Sequence, residues 1–194
     1  MSPVSGILHL VVATLRDNAR HDGVERAVAR ARDLRSAPGV VAVLTGHSED
    51  QLVVATWLVD REALDEFAAS AAHMAFVMQG LAPVIHSMWS AAVETDASPP
   101  SARPSYLWAF ALPEREGVYE WQVRQLLAEI EGLPGAAATG PTVEERERFR
   151  AGGVVILTAS DDEFAARLSP IRGKWLDIAG AIDEALVPVP VLPE

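Results

Sequence analysis

The chain repeats one order of secondary structure twice. Residues 6–96 and residues 105–192 each read as strand, helix, two strands, helix, strand. Short landmarks recur in register between the two halves: 6–10 with 105–109, 37–40 with 133–136, and 53–54 with 154–155. A repeat of this length is a duplicated domain and not a solenoid, whose units run to about 20–50 residues. The duplication therefore limits the chain to folds that two equivalent α+β units can build together.

Length and composition agree with two small units. A chain of 194 residues can bury a core in each half, with one layer of sheet and one of helix. The formal net charge of −11 argues against nucleic acid and against an anionic membrane surface as partners. Because there is no cysteine, disulfides, thiol catalysis and thiolate metal sites are excluded. No signal peptide and no apolar stretch of about 20 residues is evident, so we expect a cytoplasmic protein without a membrane span.

Periodicity predicts the elements of the first unit. His9, Val11, Ala13 and Leu15 would share one face of the first strand, because strand side chains alternate. A second helix is predicted to begin near Asp60 and to continue to Pro83. Its apolar stripe at helical spacing is Leu64, Phe67, Ala71, Met74 and Met78.

The predicted fold class is α+β. We expect two tandem ferredoxin-like βαββαβ repeats that pack as an intrachain α+β barrel. The predicted domains are 1–96, a first repeat with the candidate site, and 105–194, a second and degenerate repeat. A proline-rich linker at 97–104 joins them.

Two segments of the first unit resemble the dimeric α+β barrel superfamily, in particular its stress-responsive branch and the related antibiotic-biosynthesis monooxygenases. The segment at 9–17 (HLVVATLRD) is similar to the histidine-led first strand of that branch. The segment at 66–76 (EFAASAAHMAF) is similar to its His-Pro-x-His-x-x-Phe motif. Ser70 stands at the first histidine of the motif, Ala71 at the proline, and His73 at the second histidine.

The resemblance implies a role for His73. In polyketide cyclase chemistry of the stress-responsive branch, the second histidine of the motif is a catalytic acid/base. A tyrosine that assists it has no clear counterpart here, and Phe67 stands near its place. We therefore take His73 as the candidate acid/base and His9 as its orienting partner, since histidine titrates near neutral pH. The alternative is that each histidine is a partly buried packing residue tied to a backbone carbonyl.

The second repeat lacks both histidines. The landmark offsets pair His9 with Trp108 and His73 with Lys174, which predicts a filled, structural half. In the first repeat, apolar residues that could line a substrate cavity, or equally pack in the core, are Trp57, Phe67, Phe76, Met78 and Trp89.

Three functions follow as hypotheses. The first is a small cofactor-independent enzyme, a cyclase or monooxygenase, that acts on an apolar phenolic or polyketide-like molecule. The second is a haem-binding or haem-degrading protein with His73 on the iron, since one histidine suffices as axial ligand. The third is a non-catalytic ligand-binding or structural barrel protein. No metal-ligand spacing is evident, and a homodimer through other surfaces stays open.

Overall fold

The computed structural model describes residues 6–19, 21–100, 104–143, 149–157 and 162–189. Residues 101–103 of the predicted linker, and the ends of both predicted domains at 1–5 and 190–194, lie outside this part of the chain. The described residues form eight strands in two four-stranded antiparallel sheets.

The first unit has the predicted order of elements. Its first sheet has the strand order β2-β3-β1-β4. Its bounds are β1 Gly6–Leu15, α1 His21–Asp33, a 3-10 turn Leu34–Ser36, β2 Val40–His47, β3 Gln51–Leu58, α2 Arg61–Ala69, α3 Ala71–Ala75, a π-helical turn Phe76–Leu81, and β4 Ile85–Thr95.

The second unit repeats this order. Its sheet has the strand order β6-β7-β5-β8, which is the first order with each strand replaced by its counterpart. Its bounds are β5 Tyr106–Pro113, α4 Glu120–Glu131, β6 Ala136–Pro141, β7 Phe149–Leu157, α5 Asp162–Ala179 and β8 Asp183–Pro188. The predicted α+β class with two ferredoxin-like units is confirmed.

The two sheets pack face to face between two outer helix layers. Leu8, Leu10 and Val12 of β1 point between the sheets and meet residues of the second unit, among them Leu107 and Val154. The alternate residues of β1, including Val11, pack instead against the helices of their own unit. Each sheet buries both faces, so neither unit leaves an apolar face open to water.

Two glycines let the edge strands of one sheet meet those of the other. A Cβ at Gly46 in β2 would lie 2.7 Å from the Val187 side chain and 2.9 Å from the Pro188 carbonyl oxygen in β8. A Cβ at Gly140 in β6 would lie 1.7 Å from the Glu94 carbonyl oxygen in β4. The barrel closes at both seams because these positions carry no side chain.

One helix of the first unit differs from the sequence prediction, and one helix of the second unit contains a proline. The predicted second helix is divided at Ser70, whose backbone is extended (φ −70°, ψ 150°), and a π-helical turn follows. In the second unit, α5 runs through Pro170 and ends at Ala179, before Gly180 at a φ of +72°. Gly180 favours this left-handed conformation and terminates the helix. No helix in the described ranges is long and apolar enough to cross a membrane.

Candidate active site

His9 lies in a row of residues that crosses all four strands of the first sheet. It is directly opposite Thr56 on β3 and Ala92 on β4, and Thr56 is opposite Val43 on β2. Residues directly opposite each other share a face of the sheet. Because Val43 and Ala92 belong to the core beneath the helices, His9 and Thr56 face the helices too. The predicted face of the first strand is therefore the one that meets α2 and α3.

The break at Ser70 positions His73. The Ser70 hydroxyl accepts a hydrogen bond from the His73 backbone N–H at 3.2 Å and so caps α3. Since α2 ends there, the Ala68 carbonyl has no partner further along that helix. The Nδ1–H group of His73 donates to this carbonyl oxygen at 3.0 Å. With Nδ1 carrying the proton of the neutral ring, Nε2 is left as an acceptor.

Phe67 lies between the two histidines. Its ring centroid is 5.5 Å from that of His9 and 4.9 Å from that of His73. The two imidazole centroids are 6.5 Å apart and nearly perpendicular, at 78°. At this separation both rings can contact one small molecule directly or through a water. The structure thus brings together three of the residues singled out in the sequence.

Burial keeps His9 neutral. The side chain is only partly exposed, and the surrounding protein, followed by repulsion from His73, lowers the pKa of His9 from 6.5 to about 4. Loss of hydration disfavours the charged imidazolium more than the neutral ring. At neutral pH, His9 can donate a hydrogen bond from one nitrogen and accept at the other, but it does not supply a positive charge.

Stability should depend on pH through His9. Between pH 6.5 and about 4 the unfolded chain binds a proton that the native chain does not, so stability falls as the pH falls through this window and is full above it. We expect the chain to lose about 2 kcal/mol between about pH 7.5 and about pH 5 through this residue. The measurement is urea unfolding of the parent and of His9→Phe at the two pH values.

His86→Gln is the control for this pH effect, because His86 is an exposed histidine. His9→Phe should show a smaller loss at the lower pH than either the parent or His86→Gln. Equal losses in all three chains would show that His9 is not the group responsible.

Thr56 is a polar neighbour of His9 that the sequence analysis did not single out. Its hydroxyl is buried without a hydrogen-bond partner, and the residue is 1% exposed. One signal for it was available: Thr56 is a polar residue within the apolar run of β3, two positions after Val54 and so on the same face.

The other predicted pocket residues lie elsewhere. Trp57 and Trp89 belong to the core between the sheets, where Trp89 packs on Phe149 of the second unit at 5.5 Å. They are on the opposite face of the sheet from the histidines, because Trp57 follows the helix-facing Thr56 and strand side chains alternate. The expectation that these tryptophans line a pocket with His9 and His73 is therefore corrected.

The methionine prediction is also corrected. Met78 is 61% exposed, because the break at Ser70 and the π-helical turn shift the helical phase that the sequence stripe assumed. Phe76 points inward in its place and is a buried member of the helix-side core.

The second unit has an aromatic core at the equivalent place. Trp108 is buried, stacks on Phe110 at 4.7 Å and contacts Phe164 at 5.7 Å. Lys174, the counterpart of His73 in the sequence alignment, is exposed and forms an ion pair with Glu129 at 2.9 Å. This half is filled by rings where the first half holds the histidine pair.

Three clefts open on the surface away from the histidines. The largest of the three, about 790 Å³, lies at the β4–β6 seam and includes Glu94, Glu131 and Thr139 in its lining. The other two, about 310 and 440 Å³, lie along α4. Neither His9 nor His73 lines any of them, so these clefts are separate from the candidate site.

Solved structures share this two-unit architecture over almost the whole chain. A Fusobacterium nucleatum protein described as a "putative monooxygenase" aligns with a TM-score of 0.63 and 12% identity, covering 98% of this chain and 94% of its own. A Lactobacillus acidophilus protein of the same description aligns with a TM-score of 0.58 and 9% identity, covering 96% and 93%. The chain has the tandem form of the α+β barrel fold. At such identities the likeness shows the fold alone.

Comparison with family models and with curated proteins found no relative of the chain. The resemblance to the α+β barrel superfamily is thus confirmed for the fold, and the chemistry has to be argued from the residues of the first unit.

Proposed function

We propose that the protein is a small-molecule enzyme of the cofactor-independent monooxygenase or cyclase type, with His73 as its acid/base. The observation that carries the proposal is the cluster of His9, Phe67 and His73, in which Nδ1 of His73 is anchored and Nε2 is left to take a proton. An anchored Nδ1 fixes both tautomer and ring orientation, as a general base requires. The two proteins with the same tandem fold, both described as "putative monooxygenase", agree with this chemistry.

The surroundings of the histidines indicate an apolar substrate with one acidic proton. Phe67 and the helix-side core offer aromatic and aliphatic contacts, and the polar groups beside them are the two imidazoles and the Thr56 hydroxyl. A hydroxyaromatic or polyketide-like molecule has this character. Removal of its proton by His73 gives an electron-rich anion, which either attacks a carbonyl of the same molecule or reacts with oxygen.

Substrate entry requires a movement of the helical segment above His9, because Phe67 is 1% exposed in this structure. The segment from Ser70 to the π-helical turn Phe76–Leu81 is suited to it. Helix breaks and π turns interrupt the regular hydrogen-bond ladder, and π turns occur frequently at functional sites.

The test is a reaction panel on purified, chelator-treated protein. Electron-rich hydroxyaromatics and linear polyketide analogues are incubated under labelled oxygen and analysed by mass spectrometry. Incorporation of one labelled oxygen atom supports a monooxygenase, and loss of water without oxygen uptake supports a cyclase. No product above the protein-free blank with any of them would contradict both.

Haem is the alternative that the resemblance raised, and the residues around His73 do not fit it. An axial histidine needs a flat cavity for the macrocycle beside its free nitrogen. The ring of His73 packs against Phe67, at 4.9 Å between ring centroids, and lies 6.5 Å from His9, so no flat cavity separates these three rings. We expect the visible absorption spectrum of haem-supplemented protein to show no Soret band above that of free haem. A Soret band that corresponds to one haem per chain would show that the cluster of rings opens to admit haem.

Two observations favour a structural role for the histidines: neither of them lines any of the three clefts described above, and Nδ1 of His73 is bonded to a backbone carbonyl, as in a packing histidine. The same bond serves a catalytic base, so activity and stability of His73 variants must separate the two roles.

A further inference from the structure

Thr56 and His9 are two polar side chains that face each other without a hydrogen bond. They are directly opposite on β3 and β1 and face the same helices. Side chains in such pairs have Cβ atoms about 5 Å apart. The Thr56 hydroxyl is buried without a partner, and the ring of His9 contacts the rings of Phe67 and His73.

Leaving the Thr56 hydroxyl unpaired is costly, because it is buried away from water. A buried donor or acceptor without a partner costs about 1–3 kcal/mol, and most buried polar groups in folded proteins have one. No other side-chain oxygen or nitrogen stands in this row of the sheet, since Val43 and Ala92 flank the pair. Along this row, the side chain of Thr56 is therefore the nearest possible hydrogen-bond partner of His9, and His9 is the nearest of Thr56.

Side-chain rotations can redirect both groups within the fixed backbone of the paired strands. A half-turn of the imidazole about Cβ–Cγ exchanges a nitrogen with a carbon, and a rotation about χ1 redirects the threonine hydroxyl.

We propose that Thr56 is a positioning residue, whose hydroxyl donates a hydrogen bond to one nitrogen of His9 and thereby holds the proton of the neutral ring on the other nitrogen. His9 then has a fixed N–H donor. The consequence of this donor for catalysis rests on the proposed function. The N–H of His9 stabilises the oxygen of the substrate anion that forms when His73 removes the proton.

The low pKa of His9 is consistent with this role. A neutral ring donates through one nitrogen only, so the tautomer decides whether His9 can help the substrate. Thr56 acts through His9 and does not itself touch the reacting atoms.

The experiment is nitrogen NMR of ¹⁵N-histidine-labelled protein without any substrate, comparing the parent with Thr56→Val and Thr56→Ser. Valine has nearly the shape of threonine and lacks the hydroxyl, whereas serine keeps it. We expect one protonated and one unprotonated nitrogen signal for His9 in the parent and in Thr56→Ser. In Thr56→Val the two signals should move toward each other as both tautomers become populated.

Identical His9 signals in the parent and Thr56→Val would overturn the proposal, and so would a parent whose His9 already samples both tautomers. The second outcome needs no variant and remains available if Thr56→Val does not fold. With an active substrate, Thr56→Val should lower kcat about five- to tenfold, the effect of one lost hydrogen bond, and Thr56→Ser should restore it. Because the NMR result needs no turnover, it stands even if the reaction panel finds no substrate.

Discussion

Replacing His73 by asparagine should abolish turnover and leave the fold intact. The asparagine Nδ2 can occupy the place of the imidazole Nδ1 and donate to the Ala68 carbonyl, but asparagine has no group at the position of Nε2 that can take a proton. General acid–base catalysis contributes about 10²–10⁴-fold, so we expect kcat to fall by at least about 100-fold. The measurement is labelled-oxygen incorporation or cyclised product with the best substrate of the panel.

Stability and two further variants complete the test. The unfolding free energy of His73→Asn should stay within about 0.5 kcal/mol of the parent, whereas His73→Ala, which also loses the bond to Ala68, should lose about 1 kcal/mol. Lys174→Ala removes the counterpart residue of the second unit and should leave turnover unchanged. If His73→Asn keeps full activity, His73 is a packing residue and the proposed function is wrong in its choice of base.

Replacing Gly140 by alanine should destabilise the protein severely. The new Cβ would lie 1.7 Å from the carbonyl oxygen of Glu94, which is backbone and cannot turn aside like a side chain. The β4–β6 seam must open to make room, which also disturbs the nearby bridge between Val93 and Thr142. We expect a loss of about 3 kcal/mol or more, measured as the free energy of unfolding in urea.

Gly173→Ala is the matched control. This glycine lies in α5, and a Cβ there would have no heavy atom within 4 Å. The same substitution should therefore raise stability by up to about 1 kcal/mol through helix propensity. A Gly140→Ala protein as stable as the parent would mean that the two sheets do not approach each other as closely as this seam requires.

Local sequence was enough to predict the architecture of each unit. The matched order of elements, with landmarks such as Val53-Val54 and Val154-Val155, indicated a duplicated α+β unit, and strand alternation placed His9 on one face of β1 with Val11. Strand alternation also predicts that Trp57 and its neighbour Thr56 face opposite sides of the sheet. Grouping the tryptophan with the histidines by residue type alone led to the wrong face.

Long-range packing decided which side chains of different elements contact each other. Periodicity shows which residues of one element share a face, but the partner of that face depends on how the sheet and helices pack. The break at Ser70 is a further case: it turns Met78 to the surface, brings Phe76 into the core and directs His73 to the carbonyl of Ala68. A helical stripe drawn through residues 64–78 carries no sign of that break.

The sequence by itself determined the duplication, the α+β class and the restriction of the histidine pair to the first unit. The tertiary structure decided that His9, Phe67 and His73 form one cluster, that Thr56 is opposite His9 on the same face of the sheet, and that Trp57 and Trp89 are on the other face. The physical reason is that alternation and helical period are properties of single segments. Distances between side chains of β1, β3 and α3 arise only when the sheet is assembled and the helices close over it.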